Sequence, residues 1–288
     1  MATTLIFRDS LDVEICERIL HICNEKTLSD EDEIIIDLSR LGFVKPFGVT
    51  YLSCFIYDLL RNQKTVRLVP PKGVVDQYLN DIGFYNEFNI GSDVKVNPRS
   101  TSIQIKRLEP HSLDYSYILS LINHIGLELS LSEDIKLDIR NNIIELITNS
   151  SDHSKCAFGC YVCAQTYPNM KEIELSIMDF GIGIPANLMP KYTHLQRDDQ
   201  AVSYSIEEGI SSRKGKVAKG TGLAALKRFI EFNQGSIHIL SSRGQYKLSK
   251  KKEHSRLLNI GFPGTCVCLR INIDDKDYLY IDEEGDIF

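Results

Sequence analysis

Glu145, Asn149 and His153 recur at every fourth position of residues 141–153 (NNIIELITNSSDH). On a helix that spacing lays them along one face, while Ile143, Ile144, Leu146 and Ile147 supply a buried side. A carboxylate can move a proton, and an amide oxygen suits a hard cation. Taken alone, a solvated polar stripe with a fortuitous histidine fits these residues too. A second stretch, Asp179-Phe180-Gly181-Ile182-Gly183-Ile184-Pro185, ends a strand in an aspartate with two glycines behind it. The aspartate can accept from an exocyclic amine such as adenine's, and glycine lets a ligand approach the backbone closely. The plain alternative is a turn after an edge strand. A third stretch, Lys219-Gly220-Thr221-Gly222, opens a helix behind Arg213, Lys214 and Lys216. Free N–H groups at a helix start attract anions. An ordinary helix after a solvated basic loop is the competing reading. No GxxxxGK[ST] segment occurs in the chain, so a P-loop does not compete.

These residues need elements to hold them. The spacing predicts helices over 113–126, 132–150 and 221–232, the second capped by Ser132 with acids in its first turn. Strands are expected over 103–108, 158–167, 172–179, 236–241, 244–248 and 265–273. Pro168-Asn169 reads as the turn of a hairpin, and 181–213 as loop-rich. The first part of the chain alternates differently. A helix is expected over 11–23, and a strand over 33–38 whose β-branched run reads as buried on both faces. A helix over 48–62, a strand over 65–69 ended by Pro70-Pro71, and a short helix over 74–82 follow. Such a strand–helix–strand unit implies a parallel pair with a right-handed crossover. Residues 91–98 read as a linker.

Composition narrows the field. The chain has 288 residues, 43% hydrophobic and 25% charged, with a net charge of −6. One large domain or two ordinary ones would fit. The acidic balance disfavours nucleic acid as the main partner, although Lys247, Lys250, Lys251, Lys252 and Arg256 make one basic patch. No signal-peptide pattern opens the chain and no apolar run reaches membrane-span length, so no membrane and a cytoplasmic location are expected. Eight cysteines read best as reduced thiols. Cys156, Cys160 and Cys163 have a spacing also seen around iron–sulfur clusters. Cys160 and Cys163, however, are an odd number apart on an expected strand and so point to opposite faces. Cys266 and Cys268 share a face and read as core.

Together, the asparagine-bearing helix, Asp-x-Gly-x-Gly and Gly-Thr-Gly, in that order over residues 105–273, resemble the GHKL superfamily of gyrase, Hsp90, histidine kinases and MutL. The Glu145–Asn149–His153 spacing is most similar to its anti-sigma-factor serine kinases. The resemblance implies a Bergerat-type two-layer α/β sandwich that binds ATP and Mg²⁺. Asn149 would hold the metal and Glu145 would act as general base. Asp179 would take the adenine amine, supported by Thr265 before the last strand, with Gly181 and Gly183 giving room. Lys219, Gly220, Thr221 and Gly222 would cradle phosphates, His153 would lie near them, and residues 191–219 would form a mobile lid. Around Ile36-Asp37-Leu38-Ser39-Arg40-Leu41-Gly42-Phe43 and Gly48 the chain resembles a STAS domain. Members of that family carry a phosphorylated serine where this chain has Lys45-Pro46-Phe47, so the domain is expected to be a non-phosphorylated interaction module, the alternative being that Ser39, Thr50 or Ser53 substitutes. The expected fold is therefore α/β, in the α+β sense: a STAS-like domain over 1–95, a linker over 96–104, an ATP-binding domain over 105–275 and an acidic tail over 276–288.

The expected function is a Mg-ATP-binding signalling protein, an ATPase or serine/threonine protein kinase acting on a protein partner. The alternative is a non-catalytic, ATP-responsive interaction switch. Superfamily members dimerise, so a homodimer is a further expected partner. A histidine autokinase would need a long acceptor hairpin, and 113–126, with His124, is too short. A topoisomerase or mismatch-repair reading would need a further domain after residue 273.

Overall fold

A computed structural model describes residues 2–23, 31–89, 99–112, 114–127, 133–150, 155–207, 209–210 and 222–273. Two sheets organise them. Strands β1 (Ala2–Leu11), β2 (Glu33–Val44) and β3 (Thr65–Val69) form a parallel sheet in that order. Strands β4 (Lys106–Leu108), β5 (Cys160–Tyr167), β6 (Glu172–Asp179), β7 (Ser236–Ser249) and β8 (Lys252–Asn272) form an antiparallel sheet in the order β4-β5-β6-β8-β7.

Helix α1 (Cys16–Cys23) touches β1 and β8, and α2 (Pro46–Arg61) touches β1, β2 and β3 on one side and β5 and β6 on the other. Both therefore fill the space between the sheets. α2 shows why at the level of sequence. Phe47, Val49, Tyr51, Leu52, Cys54, Phe55 and Ile56 surround its whole circumference and all are buried. A helix that is apolar all round must be covered all round. The helix begins at Pro46, two residues before the expected Gly48, because proline suits a first turn whose N–H has no partner.

The outer face of the five-stranded sheet carries α5 (Tyr115–Leu127), α6 (Glu133–Thr148) and α9 (Gly222–Asn233). Ile118, Leu121 and Ile125 from α5, Ile143, Leu146 and Ile147 from α6, and Leu226, Phe229 and Ile230 from α9 meet Ile173, Leu175, Ile177, Val267 and Leu269 of the sheet. The short helices α3 (Val74–Asp81), α4 (Phe84–Glu87), α7 (Gly183–Leu188) and α8 (Asp198–Tyr204) complete the α-helices among the described residues.

Several expectations are corrected. β2 is not buried on both faces: Ile34, Ile36 and Leu38 are fully covered, but Ile35 and Asp37 are half-buried. The first strand β1 was not expected, and the helix after it starts only at Cys16, following a 3-10 turn at Val13–Ile15. The strands expected over 236–241 and 244–248 are one, with register shifts between Ser241 and Gly244 where alternation breaks. Its partner β8 starts at Lys252, far ahead of the expected residue 265. Ser102 bridges Gln165, and the Thr166 N–H donates to the Thr101 carbonyl at 2.7 Å, so 101–103 already runs along the β5 edge. The acidic tail and the linker core at 91–98 lie outside the described residues.

A buried ion network joins the two sheets. Lys45 Nζ lies 3.1 Å from Glu174 Oε2 and 3.3 Å from Asp12 Oδ2. Arg270 reaches Glu174 Oε2 through Nε and Asp12 Oδ1 through Nη2, each at 3.1 Å. Glu174 is fully buried, which pushes its carboxyl pKa up, and Lys45 and Arg270 pull it back. Two cations around one buried carboxylate is what such burial requires. No described helix is long and apolar enough to cross a membrane.

Candidate functional site

Side-chain alternation along the sheet decides which face carries the candidate residues. Ile177, Val267 and Ile239 face the helix layer. Two residues further along each strand stand Asp179, Thr265 and Ser241. The register pairs Asp179 with Thr265 and Thr265 with Ser241. The three thus form one row across β6, β8 and β7, at one end of the sheet and in series with the residues that meet α5, α6 and α9.

Hydrogen bonds lock this row. Asp179 is buried, and its Oδ1 accepts the Gly181 N–H at 2.8 Å. That bond folds the chain sharply at the strand end. The buried Ser241 hydroxyl donates to the Gly264 carbonyl at 2.8 Å and accepts the Ile184 N–H at 2.8 Å. Its third contact is the Thr265 hydroxyl at 3.0 Å. A serine has one hydrogen, already given to Gly264, so Thr265 is the donor in that contact. The Thr265 oxygen keeps its acceptor capacity.

Two glycines make the turn possible. Gly264 has φ +98°, and a Cβ there would lie 2.2 Å from the Asp179 carbonyl and 2.6 Å from the Gly181 nitrogen. Gly183 has φ +80°, and its Cβ would lie 2.8 Å from Ser241 Oγ. Both positions exclude a side chain by conformation and by space. Gly183 begins α7, whose Ile184 is the residue held by Ser241.

The Glu145–Asn149 pair sits near the end of α6, both half-buried, and the helix closes at Asn149–Ser150 in a π turn. α6 packs directly against α9, whose first residue is Gly222. After α6 the chain returns to the sheet, and the Cys156 thiol meets the Phe180 backbone N–H beside Asp179. Burial raises the Cys156 pKa, the two backbone N–H groups it meets lower it, and Asp179 raises it. The structure thus gathers Asp179, Gly181, Gly183 and Thr265 at one sheet end, and sets Glu145, Asn149 and Gly222 on adjoining helices of the same layer. His153, Lys219, Gly220 and Thr221 lie outside the described residues.

Of the lid expected over 191–219, residue 208 and residues 211–219 lie outside the described residues, and the described part carries a packed helix. α8 lies against β7, with Ala201 and Val202 fully buried and the Arg243 N–H donating to Asp198 Oδ2 at 2.8 Å. Arg197 caps the helix and pairs with Asp199. Ser241 is the residue that the sequence reading missed. Its signal was a serine in the inward series after Ile237 and Ile239, where a third apolar residue would be ordinary.

Cys160 packs in the helix-side core and Cys163 in the inter-sheet core, on opposite faces of β5. Their thiols cannot share a cluster. Cys266 and Cys268 share the inter-sheet face with their sulfurs 3.6 Å apart, and all eight cysteines are buried. Thr50 and Ser53 are fully buried and donate to backbone carbonyls of their own helix. Neither can serve as an exposed phosphate acceptor. No family model matches the chain, and the search of curated proteins returns no match.

Proposed function

We propose that this chain binds MgATP as a GHKL-type signalling protein and uses it as an ATPase or as a kinase for serine or threonine on a protein partner. One observation carries the reading: the row Asp179–Thr265–Ser241 ends in hydrogen-bond acceptors. The Asp179 carboxylate has only lone pairs to offer when ionised, and Thr265 has already given its hydrogen to Ser241. A ligand that meets this row must bring donors, as the exocyclic amine of adenine does. The glycines at 183 and 264 keep the turn beside it free of side chains.

The remaining residues fit the phosphate end by chemistry. Asn149 offers an amide oxygen to a hard cation, and Glu145, one turn earlier, offers a carboxylate. Among the described residues no group of three His, Cys, Asp or Glu side chains could hold a metal by itself. Mg²⁺ commonly takes one or two protein oxygens and completes its shell with phosphate and water, so one asparagine suffices. When bound, the metal would neutralise phosphate charge. Glu145 would orient the attacking hydroxyl or water and receive its proton. The burial of Thr50 and Ser53 argues against self-phosphorylation at either, while Ser39, the third substitute, is half-buried on β2.

Calorimetric titration with ATP, with and without Mg²⁺, tests the reading. Asn149→Ala should lose the Mg²⁺-dependent part of binding. Glu145→Ala should keep the nucleotide and lose phosphate release or transfer. Unchanged Mg²⁺ dependence in the first variant would remove Asn149 from the metal role, and persistent turnover in the second would remove Glu145 as base.

A further inference from the structure

The turn that carries Asp179 has a second side. Alternation at the end of β6 sends Asp179 toward the helix layer and its neighbours Met178 and Phe180 toward the inter-sheet core. There they meet α2. The Tyr51 ring stands edge-on to Phe180 at 5.7 Å between centroids. Phe262 closes the box, 6.0 Å from Tyr51 and 6.1 Å from Phe180 at an interplanar angle of 88°. Phe158 is a further wall at 6.5 Å. The Cys54 thiol, one turn after Tyr51, donates to the Met178 carbonyl at 3.5 Å. Tyr51 itself is buried and stacks between Phe47 and Phe55 on its own helix.

We infer that Tyr51 and Cys54 of α2 are positioning residues for the Asp179 site, so that ligand occupancy and the packing of α2 are thermodynamically linked. The inference rests on the nucleotide reading above. Its physical basis is that Phe180 lies between two constrained residues. Asp179 before it is tied to Gly181 after it, and the backbone of all three lies against Gly264. A Phe180 ring that shifts in its aromatic box therefore has little slack before it moves the Asp179 carboxylate. Edge-to-face rings hold such a geometry specifically as well as by area. Linkage is reciprocal: if α2 packing favours the ligand-competent turn, the ligand must favour α2 packing by the same factor.

Nothing in the ion network at Lys45 performs this role, because Lys45, Glu174 and Asp12 meet at the start of α2 and of β6, away from the turn. Among the attachments of the N-terminal module to the five-stranded sheet, which include Thr50 with Ser176 and Glu17 with Arg256, two differ in kind. One is electrostatic and holds the sheets together. The other is aromatic and ends on the residue next to Asp179.

The test uses the full chain, calorimetry with MgATP and ADP, and two variants. Tyr51→Leu removes the ring that faces Phe180. Ile36→Val shortens a buried side chain on β2 and leaves the aromatic box intact. Both should lower the melting temperature. Only Tyr51→Leu should weaken nucleotide binding, by about fivefold (roughly 1 kcal/mol). Equal affinity in Tyr51→Leu and wild type would overturn the coupling while leaving the nucleotide reading intact. Absence of binding by the wild-type chain would overturn both. Should Tyr51→Leu fail to fold, amide hydrogen exchange on the wild-type chain decides. Saturating ADP should slow exchange in residues 46–61, and an unchanged rate there, with slowing around 179–184, would overturn the coupling.

Discussion

Along β6, odd and even positions meet different surroundings. Ile173, Leu175 and Ile177 enter an apolar layer of helices, while Glu174, Ser176 and Met178 face α2, where carboxylate, hydroxyl and thiol groups are buried together. Ser176 Oγ lies 2.8 Å from the Thr50 hydroxyl and 3.5 Å from the Cys268 sulfur. The helix face is held mainly by area, with Thr166 meeting His124 of α5 at 3.0 Å, and gathers Asp179, Thr265 and Ser241 at one sheet end. The α2 face distributes polar groups along its length and pairs each with a group from the other module. The contrast teaches that one face is built to fix the modules in a single register. The other gathers its buried polar residues Asp179, Thr265 and Ser241 in one row at a sheet end.

Removing a charge from the α2 face should have the largest effect. Lys45→Met leaves Glu174 with Arg270 alone, and breaking a buried pair costs about 3–5 kcal/mol. Urea denaturation should show that loss. The double variant Lys45→Met/Glu174→Gln should recover at least half of it. A single-variant loss below about 1 kcal/mol would mean that the network contributes register but little stability.

The same face should respond to acid. His238 is buried with Glu14 Oε1 3.4 Å from Nε2, and Lys247, Arg270 and Asp12 also surround it. Burial drives its pKa down to about 4, against the pull of Glu14. The unfolded chain then binds a proton that the folded chain refuses between about pH 6.5 and 4. The stabilising contribution is complete above about pH 6.5 and lost as pH falls toward 4, by roughly 3 kcal/mol in all. His238→Gln should flatten that slope. A slope unchanged in the variant would assign the acid sensitivity to other groups.

The smallest effect is expected far from both faces. Lys250 and Lys251 form the two-residue turn between β7 and β8, with φ +51° and +61°. Two positive φ values define a turn that favours Asn-Gly. Lys250→Asn/Lys251→Gly should raise stability by about 1 kcal/mol, read as a small rise in melting temperature. A fall would mean that the lysine charges matter more than the turn geometry.

Much of this contrast was legible in the residues. Period-two patterning gave β5 and β6, and the odd spacing of Cys160 and Cys163 correctly set them on opposite faces. The apolar series in 141–153 gives α6, whereas the pairing of Asp179 with Thr265 is visible only in the sheet register. What escaped was non-local. β1 has only Leu5, Phe7 and Leu11 buried among polar neighbours, and its reason to be a strand is a parallel partner, β2, which comes later in the chain. The long arm of β7 and β8 was hidden because a bulge at Ser241–Gly244 breaks its alternation. α2 displayed its apolar circumference openly, but reading 91–98 as a linker separated it from the sheet that covers its second side. Ser241 was invisible because its role depends on three backbone groups from distant positions.

In the proposed function, the Asp179 row receives a donor from a nucleotide base. The direct measurement is calorimetric titration of wild type and Asp179→Asn with MgATP. Wild type should bind MgATP. Asp179→Asn, which replaces one acceptor oxygen by a donor, should lose ATP affinity by at least about tenfold, the effect of roughly 1.4 kcal/mol. Equal ATP affinity in the two proteins, or no nucleotide binding by the wild type, would contradict it.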